Sequence, residues 1–250
     1  RRAAAGLPQA AREAEWLRAH ALGARALDLY VDDPVVPEPA ATRFLAQVEA
    51  RAAGMPAQYL AGETEFFGRP FAVEPGVFIP RPETEAVTEA AIRALQAGPR
   101  VPRRLADLGT GSGCIAVTLA GAFPACVVVG VELSWRTLCV AARNVRRHDL
   151  GWRIQLVHGC WTEPLAAGWD GIVANPPYVP RAQLERLPLE VRQEPPESLD
   201  GGGDGMRELC RLLAETPRIL RPGGLLALEC GEEQVEPLVA LAHRGPWAMG

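Results

Sequence analysis

The chain has 250 residues and a formal net charge of −4, from 26 basic and 30 acidic side chains. With 48% hydrophobic and 22% charged residues, it is neither wholly disordered nor a collagen-like or coiled-coil chain. Its mild acidity is not typical of a generic nucleic-acid binder, and no apolar run approaches the roughly 20 residues that span a bilayer.

The first sixty residues predict a small helical module. Apolar residues recur at helical spacing from Pro8 to Tyr30, and a break follows at residues 32–34. A second helix is predicted from Glu38 to Ala53, ending at Gly54. We interpret the module as a partner-binding cap, and a helical appendage that only adds stability is the alternative.

A hairpin and a stiff linker follow the helical module. Residues 65–73 contain two short β-like runs about a turn at Gly68. The prolines and the glycine from Pro75 to Pro82 disfavour both helix and strand. Pro82 suits the first turn of a helix from Glu83 to Gln96, whose acidic first turn favours the positive helix start.

From residue 103 onward, strands and helices alternate along the chain. We predict strands over residues 104–107, 126–132, 153–157, 170–175 and 225–230, and helices over residues 114–122, 134–147 and 206–220. This alternation implies βαβ crossovers and a parallel sheet covered by helices on both faces. The predicted fold class is therefore α/β.

A glycine-rich turn joins the first of these strands to its helix. The turn reads Asp-Leu-Gly-Thr-Gly-Ser-Gly from Asp107 to Gly113, and glycines let a ligand lie against bare backbone. Glu132 follows Gly111 by about 20 residues, where a carboxylate can hydrogen-bond ribose hydroxyls. This form resembles the cofactor loop of S-adenosylmethionine-dependent methyltransferases. A dinucleotide site and a plain tight turn are the alternatives.

A second motif, Asn175-Pro176-Pro177-Tyr178, follows directly on a predicted strand. The prolines stiffen the backbone and leave their carbonyls free as acceptors, beside the Asn175 side-chain carbonyl and the flat face of Tyr178. Two acceptors that hold the hydrogens of a conjugated NH₂ group turn its lone pair toward a sulfonium methyl group and stabilise the charge that grows on nitrogen. The motif alone leaves three acceptors open: adenine in DNA, guanine in RNA, or a glutamine amide.

The remaining polar residues predict no metal site. No two of the six cysteines are spaced as Cys-x-x-Cys, and the glycine-rich run from Asp200 to Gly205 lacks the pattern of a calcium loop. We expect free thiols in a reducing, cytoplasmic environment. The first 14 residues do not have the pattern of a secretory signal. Arg81 is predicted either to touch a cofactor or partner or to be a solvated linker residue.

Three further stretches of the sequence narrow the choice among these methyl acceptors. Residues 58–68, 77–85 and 194–202, together with the two motifs above, closely resemble the bacterial peptide-chain release factor glutamine methyltransferases. The resemblance implies N5-methylation, by S-adenosyl-L-methionine, of the glutamine in a release factor's Gly-Gly-Gln motif. The alternative is a methyltransferase acting on exocyclic amino groups of DNA or RNA bases, and a third class is a non-catalytic binding module that kept the fold.

The resemblance also implies roles for particular residues. The cofactor would be bound by Asp107, Gly109, Thr110, Gly111, Ser112, Gly113, Glu132, Trp161 and Asn175. Of these, the glycine turn would cradle the methionine part, Glu132 would take the ribose, and Trp161 would lie by the adenine, with plain core packing as the alternative for Trp161. The catalytic residues would be Asn175, Pro176, Pro177 and Tyr178, with the Asn175 side chain and the Pro176 carbonyl holding the glutamine amide.

The implied architecture is a Rossmann-like, seven-stranded methyltransferase sheet with a small N-terminal helical domain and a β-hairpin linker. The domains are a helical substrate-recognition domain over residues 1–62, the hairpin and proline-rich linker over 63–81, and the methyltransferase domain over 82–250. We expect a monomer with release factors as partners and with no membrane or direct nucleic-acid contact.

Three residues or regions depart from the family pattern. Glu132 stands where the family usually has aspartate. Cys160 stands where aspartate, a natural acceptor for the adenine amino group, is common. The chain ends at Gly250, before the family's usual terminal antiparallel strand pair. We therefore expect truncated C-terminal strands and one missing sheet edge.

Overall fold

The N-terminal part of the chain is helical in a computed structural model that describes residues 10–24, 28–29 and 37–248. Its helices are α1 (Ala10–Leu22), α2 (Glu38–Ala52) and the short α3 (Ala57–Ala61). Helix α1 packs against α2 and α3, because its apolar residues, such as Leu17, face inward. The helix ends at Leu22, before a turn at Gly23 with a φ of +64°, rather than continuing toward Tyr30 as predicted. Pro8, Tyr30 and the predicted break at 32–34 lie outside the described residues.

The predicted hairpin is present and is fixed to the rest of the molecule. Strands β1 (Glu63–Phe66) and β2 (Arg69–Ala72) pair antiparallel around a turn at residues 67–68. The side-chain amide of Asn144 binds both the N–H and the carbonyl of Ala72, at 2.7 and 3.0 Å. Residues 73–81 form neither helix nor strand, and α4 (Pro82–Ala97) begins at Pro82, as the prolines predict.

A five-stranded parallel sheet forms the centre of the described part of the chain. Its strands are β3 (Arg104–Leu108), β4 (Val127–Glu132), β5 (Ile154–His158), β6 (Trp169–Ala174) and β7 (Leu220–Leu228). Their order is β5-β4-β3-β6-β7. Because the strand order reverses between β3 and β6, a crevice opens at the carboxyl ends of these two strands.

Helices cover both faces of this sheet, which confirms the α/β prediction. They are α4, α5 (Cys114–Ala122), α6 (Trp135–Arg147), α7 (Arg207–Glu215) and α8 (Val235–Ala242). Alternate residues of β3 point to opposite faces: Leu105 joins a buried cluster with α5, whereas Ala106 and Leu108 join a cluster with α7. None of the helices that the structure describes is long and apolar enough to cross a membrane.

The C-terminal elements differ from the sequence prediction. The helix predicted over 206–220 ends at Glu215, because Pro217 cannot continue it, and residues 216–218 form a 3-10 turn. Strand β7 starts at Leu220 rather than 225, because Leu220 pairs with Trp169 ahead of a bulge. Within the described residues, β7 has a strand neighbour on one side only, and five of the seven strands implied by the resemblance are present.

Candidate active site

A cavity of about 760 Å³ opens at the carboxyl ends of β3, β4 and β6. It brings together most of the residues that the sequence predicts to bind a cofactor. Those that line it are Gly109, Thr110, Gly111, Ser112, Glu132, Trp161 and Asn175. The other two predicted residues, Asp107 and Gly113, lie behind the turn rather than on the cavity wall.

The glycine turn depends on backbone conformations that other residues rarely adopt. Gly109, Gly111 and Gly113 have φ values of +72°, +57° and +83°. A Cβ atom at Gly109 would also lie 3.1 Å from the ring of Trp161. The glycines therefore bring the backbone of the turn against the cavity and leave room for the indole.

Asp107 holds this turn from below. Its side chain is fully buried, and its Oδ2 accepts hydrogen bonds from the Thr110 hydroxyl (2.5 Å) and from the backbone N–H of Ala116 (3.0 Å). Burial raises the pKa of Asp107 to about 7, although both hydrogen bonds oppose the shift. The aspartate therefore ties the turn to the start of α5.

Glu132 reaches from the end of β4 into the same turn. Its Oε2 accepts the N–H of Gly111 at 3.0 Å, and its Oε1 accepts the N–H of Ser134 at 2.8 Å. Burial raises the pKa of Glu132, whereas these backbone hydrogen bonds lower it. Because each carboxylate oxygen has two lone pairs, the side chain can still accept hydrogen bonds from hydroxyl groups of a ligand in the cavity.

Trp161 and Cys160 form the opposite wall of the cavity. Trp161 has a φ of +45°, and its Nε1–H donates to Glu208 at 2.8 Å, so the ring is fixed across from Gly109. Cys160 accepts a hydrogen bond through its Sγ from Nη1 of Arg211, at 3.2 Å. The residue that stands in place of the family's aspartate therefore faces a guanidinium group, a contact that the sequence did not indicate.

A smaller cavity of about 170 Å³ adjoins the first and is lined by Pro176, Tyr178 and Arg81, among others. The two cavities share the lining residues Phe78, Asn175 and Ser198. Asn175 therefore lies at a junction where two molecules can lie side by side, and the predicted catalytic motif borders both cavities.

A buried hydrogen-bonded chain runs behind Asn175. Its Nδ2 donates to Thr84 Oγ1 at 3.0 Å, and Thr84 Oγ1 donates to Glu229 at 2.6 Å. The Tyr178 hydroxyl donates to the other oxygen of Glu229 at 3.0 Å. Sequence reasoning missed Thr84 and Glu229. The sequence did hold one indication of Glu229: it is an acidic residue directly after the apolar stretch 225–228, where a buried charge needs polar partners.

Arg81 is tied into the rim of the smaller cavity and is not a freely solvated linker residue. It forms an ion pair with Glu194, whose side chain is buried and whose other oxygen accepts the N–H of Ile79 at 3.0 Å. The guanidinium also lies 5.3 Å from the centre of the Phe78 ring. These contacts join the proline-rich linker to the segment that begins at Glu194.

Comparison with known proteins agrees with this geometry. Residues 2–62 match the family described as PrmC N-terminal domain, and residues 69–206 match the family described as methyltransferase small domain. The release factor glutamine methyltransferase of Geobacter sulfurreducens is 44% identical over 246 residues, which cover 96% of this chain and 83% of the relative. That of Moorella thermoacetica is 45% identical over 205 residues, which cover 82% of this chain and 72% of the relative.

Among solved structures, a methyltransferase from Pyrococcus furiosus superposes with a TM-score of 0.51 and 20% identity, covering 81% of this chain and 85% of that one. That likeness supports the fold alone, whereas the sequence relatives are close and extensive enough to identify the family. The resemblance noted in the sequence is thus confirmed: this chain belongs to the release factor glutamine methyltransferase family.

Proposed function

We propose that this chain transfers a methyl group from S-adenosyl-L-methionine to the side-chain amide nitrogen of the glutamine in the Gly-Gly-Gln motif of peptide-chain release factors. The observation that carries the proposal is the position of Asn175 at the junction of two cavities, with its NH₂ group already bonded to Thr84. Its Oδ1 is then left to accept an N–H group. The names of the sequence relatives support this choice of substrate.

The residues of the larger cavity fit the proposed cofactor. A volume of about 760 Å³ lies within the usual range for ligand sites of roughly 300–1,000 Å³. The bare backbone from Gly109 to Ser112 would hold the methionine part, Glu132 would accept the ribose hydroxyls, and Trp161 would pack on the adenine. Asp107 and Gly113 would act through the turn that they shape. When bound, the cofactor supplies an electrophilic methyl group on a positively charged sulfur.

The smaller cavity would take the glutamine side chain. There the Oδ1 of Asn175 and the carbonyl of Pro176 would accept the two amide hydrogens, and Pro177 would keep both acceptors rigid. This grip turns the nitrogen lone pair toward the larger cavity and stabilises the positive charge that grows on nitrogen. Such an arrangement needs no strong base before the methyl group moves, because the proton can leave afterwards.

Tyr178 would pack against the amide as a neutral phenol. Burial raises its pKa, and the neighbouring Glu229 carboxylate raises it further. The hydroxyl therefore keeps its proton and donates to Glu229, which fixes the plane of the ring. Its contribution is to orient and shield the substrate amide rather than to remove a proton.

We also propose how the chain divides its work. Residues 1–62 would recognise the body of the release factor, residues 63–81 would link the domains, and residues 82–250 would carry the chemistry. One protomer contributes every side chain that this mechanism uses, so a monomer suffices. A substrate that acts in translation places the reaction in the cytoplasm.

The decisive experiment is transfer of labelled methyl groups to purified release factor. We expect label on wild-type release factor and none on a release factor whose Gly-Gly-Gln glutamine is replaced by alanine. Duplex DNA and ribosomal RNA are tested in parallel with the same enzyme. Transfer to nucleic acid alone would overturn the proposed substrate. So would equal labelling of the release factor that has alanine in place of the Gly-Gly-Gln glutamine.

A further inference from the structure

The side chain of Asn175 has two chemically different ends of nearly the same shape. Only its oxygen can accept an N–H group from an amide substrate, and its NH₂ group would instead oppose one. We propose that Thr84 and Glu229 are positioning residues that fix which end of Asn175 faces the substrate. The inference rests on the proposed function and adds two residues to its machinery.

The direction of each hydrogen bond follows from where the chain behind Asn175 ends. A carboxylate has no hydrogen to give, so Glu229 accepts from both Thr84 (2.6 Å) and Tyr178 (3.0 Å). The Thr84 hydroxyl has one hydrogen, and Glu229 takes it. Toward Asn175 the hydroxyl therefore offers only a lone pair, and Nδ2 of Asn175 donates to it at 3.0 Å.

Burial makes this choice of direction strict. Thr84 borders the larger cavity, but Thr84 and Glu229 are each only 3% exposed, so little water can reach them to replace a lost hydrogen bond. Turning the Asn175 amide over would set its oxygen against the Thr84 oxygen with no hydrogen between them. Burial raises the pKa of Glu229, whereas the hydrogen bonds from Thr84 and Tyr178 lower it and favour the carboxylate.

The sheet register explains why these residues meet. Ala174 of β6 pairs with Leu228 of β7, and the N–H of Glu229 continues the ladder onto the Ala174 carbonyl at 3.0 Å. Asn175 and Glu229 therefore follow the carboxyl ends of two neighbouring strands. Thr84 reaches them from the first turn of α4, which Pro82 starts beside these strand ends.

The test compares two threonines on one helix. Thr84→Val removes the hydroxyl and keeps the shape. We expect kcat for release factor to fall by up to about a hundredfold, the cost of misplacing a reacting group by about 1 Å. The KM for release factor and the cofactor affinity should change far less. Thr88→Val is the matched control, because Thr88 is also buried but donates only to the Thr84 carbonyl, at 2.7 Å. Its kcat should match the wild type.

A conservative variant separates positioning from packing. Thr84→Ser keeps the hydroxyl and should retain most of the wild-type kcat. A role in packing alone predicts the reverse order, because valine keeps the shape of threonine whereas serine lacks its methyl group. Should Thr84→Val fail to fold, Thr84→Ala removes the same hydroxyl without adding a second methyl group and carries the same expectation. Undiminished kcat in a folded Thr84→Val or Thr84→Ala enzyme overturns the positioning role, as does a Thr84→Ser enzyme without rescue.

The wild-type enzyme separates this inference from the function on which it rests. Wild-type enzyme that leaves release factor unlabelled contradicts the proposed function and the inference with it. Wild-type transfer together with an unimpaired Thr84 variant contradicts the inference alone.

Discussion

Buried ionisable side chains have different kinds of partner in the sheet and in the helical region. At the carboxyl ends of the sheet strands, the side-chain carboxyl groups of Asp107, Glu132 and Glu229 accept hydrogen bonds from N–H and O–H groups. In the helical region, the buried Arg51 of α2 binds two carboxylates, Glu13 of α1 and Glu190. The N–H and O–H donors orient carboxyl groups at the cavity, whereas the ion pairs of Arg51 join α1, α2 and the segment at Glu190.

The Arg51 cluster connects the helical region to the proposed substrate cavity. Glu190 belongs to a segment in which Leu187 and Val191 line the smaller cavity. Gly54, just after α2, has a φ of +97°, and a Cβ atom there would overlap Leu189 of the same segment. The two regions are therefore joined through this segment. We expect changes at Asn175 to act mainly on turnover and changes at Arg51 to act mainly on stability.

The largest expected effect is on turnover, from a change at the carboxyl ends of the sheet strands. Asn175→Ala removes one of the two acceptors for the substrate amide, and we expect kcat to fall by about 10²- to 10³-fold, as when one group of an oxyanion hole is lost. The free energy of unfolding should change little, because the Asn175 side chain is only partly buried. Steady-state kinetics and urea unfolding of the same preparation measure both quantities. Undiminished turnover would remove Asn175 from the mechanism.

The converse change is in the helical region. Arg51→Met keeps most of the side-chain volume and leaves Glu13 and Glu190 without their cation. Because these carboxylates are 28% and 40% exposed, we expect the free energy of unfolding to fall by about 2 kcal/mol, less than the roughly 3–5 kcal/mol for breaking a fully buried pair. Urea unfolding measures this loss. The matched control is Arg93→Met, which breaks the exposed pair between Arg93 and Glu89 and should cost less than about 0.5 kcal/mol. Equal losses in the two variants would show that burial gives the Arg51 cluster no special weight.

A third prediction tests the protonation state of Asp107, in the central strand of the sheet. The pKa of Asp107 is raised from 3.8 to about 7 by burial, so between these pH values the folded chain keeps a proton that the unfolded chain releases. The free energy of unfolding should therefore fall as pH rises through this window, by up to about 1.4 kcal/mol per pH unit from this group. Asp107→Asn has no such proton and should lack that part of the slope. Urea unfolding at pH 5 and pH 6.5 measures it, and parallel slopes for the two proteins would contradict the assignment.

Local rules explain which parts of this molecule were predictable from sequence. The turn at Gly109–Gly113 and the stiff segment after Asn175 are dictated by residues that constrain their own backbone, so both were placed correctly. The alternation from residue 103 likewise predicted the parallel sheet. The late helix was predicted too long, although Pro217 is a local signal that ends it. The last strand was misplaced because the pairing of Leu220 with Trp169 depends on a strand 51 positions earlier in the chain.

Contacts between distant side chains were not predictable in this way. Thr84 meets Asn175 across 91 positions and Glu229 across 145, and Arg51 meets Glu190 across 139. No local propensity relates such residues, since only the folded chain brings them together. The cysteine at position 160 is a similar case, because the sequence indicated a missing acceptor but gave no sign of Arg211 beside it.

That contact sets the smallest of the expected effects. Cys160→Asp restores an acceptor for the adenine amino group, but Arg211 already donates to this position and would compete for the new carboxylate. We therefore expect cofactor binding to tighten only about threefold, which corresponds to roughly 0.7 kcal/mol, as measured by calorimetric titration. Cys139→Asp, at an exposed position on α6, is the control and should leave affinity unchanged. Unchanged or weakened affinity in Cys160→Asp would mean that Cys160 does not limit adenine binding, and that Arg211 claims the carboxylate for itself.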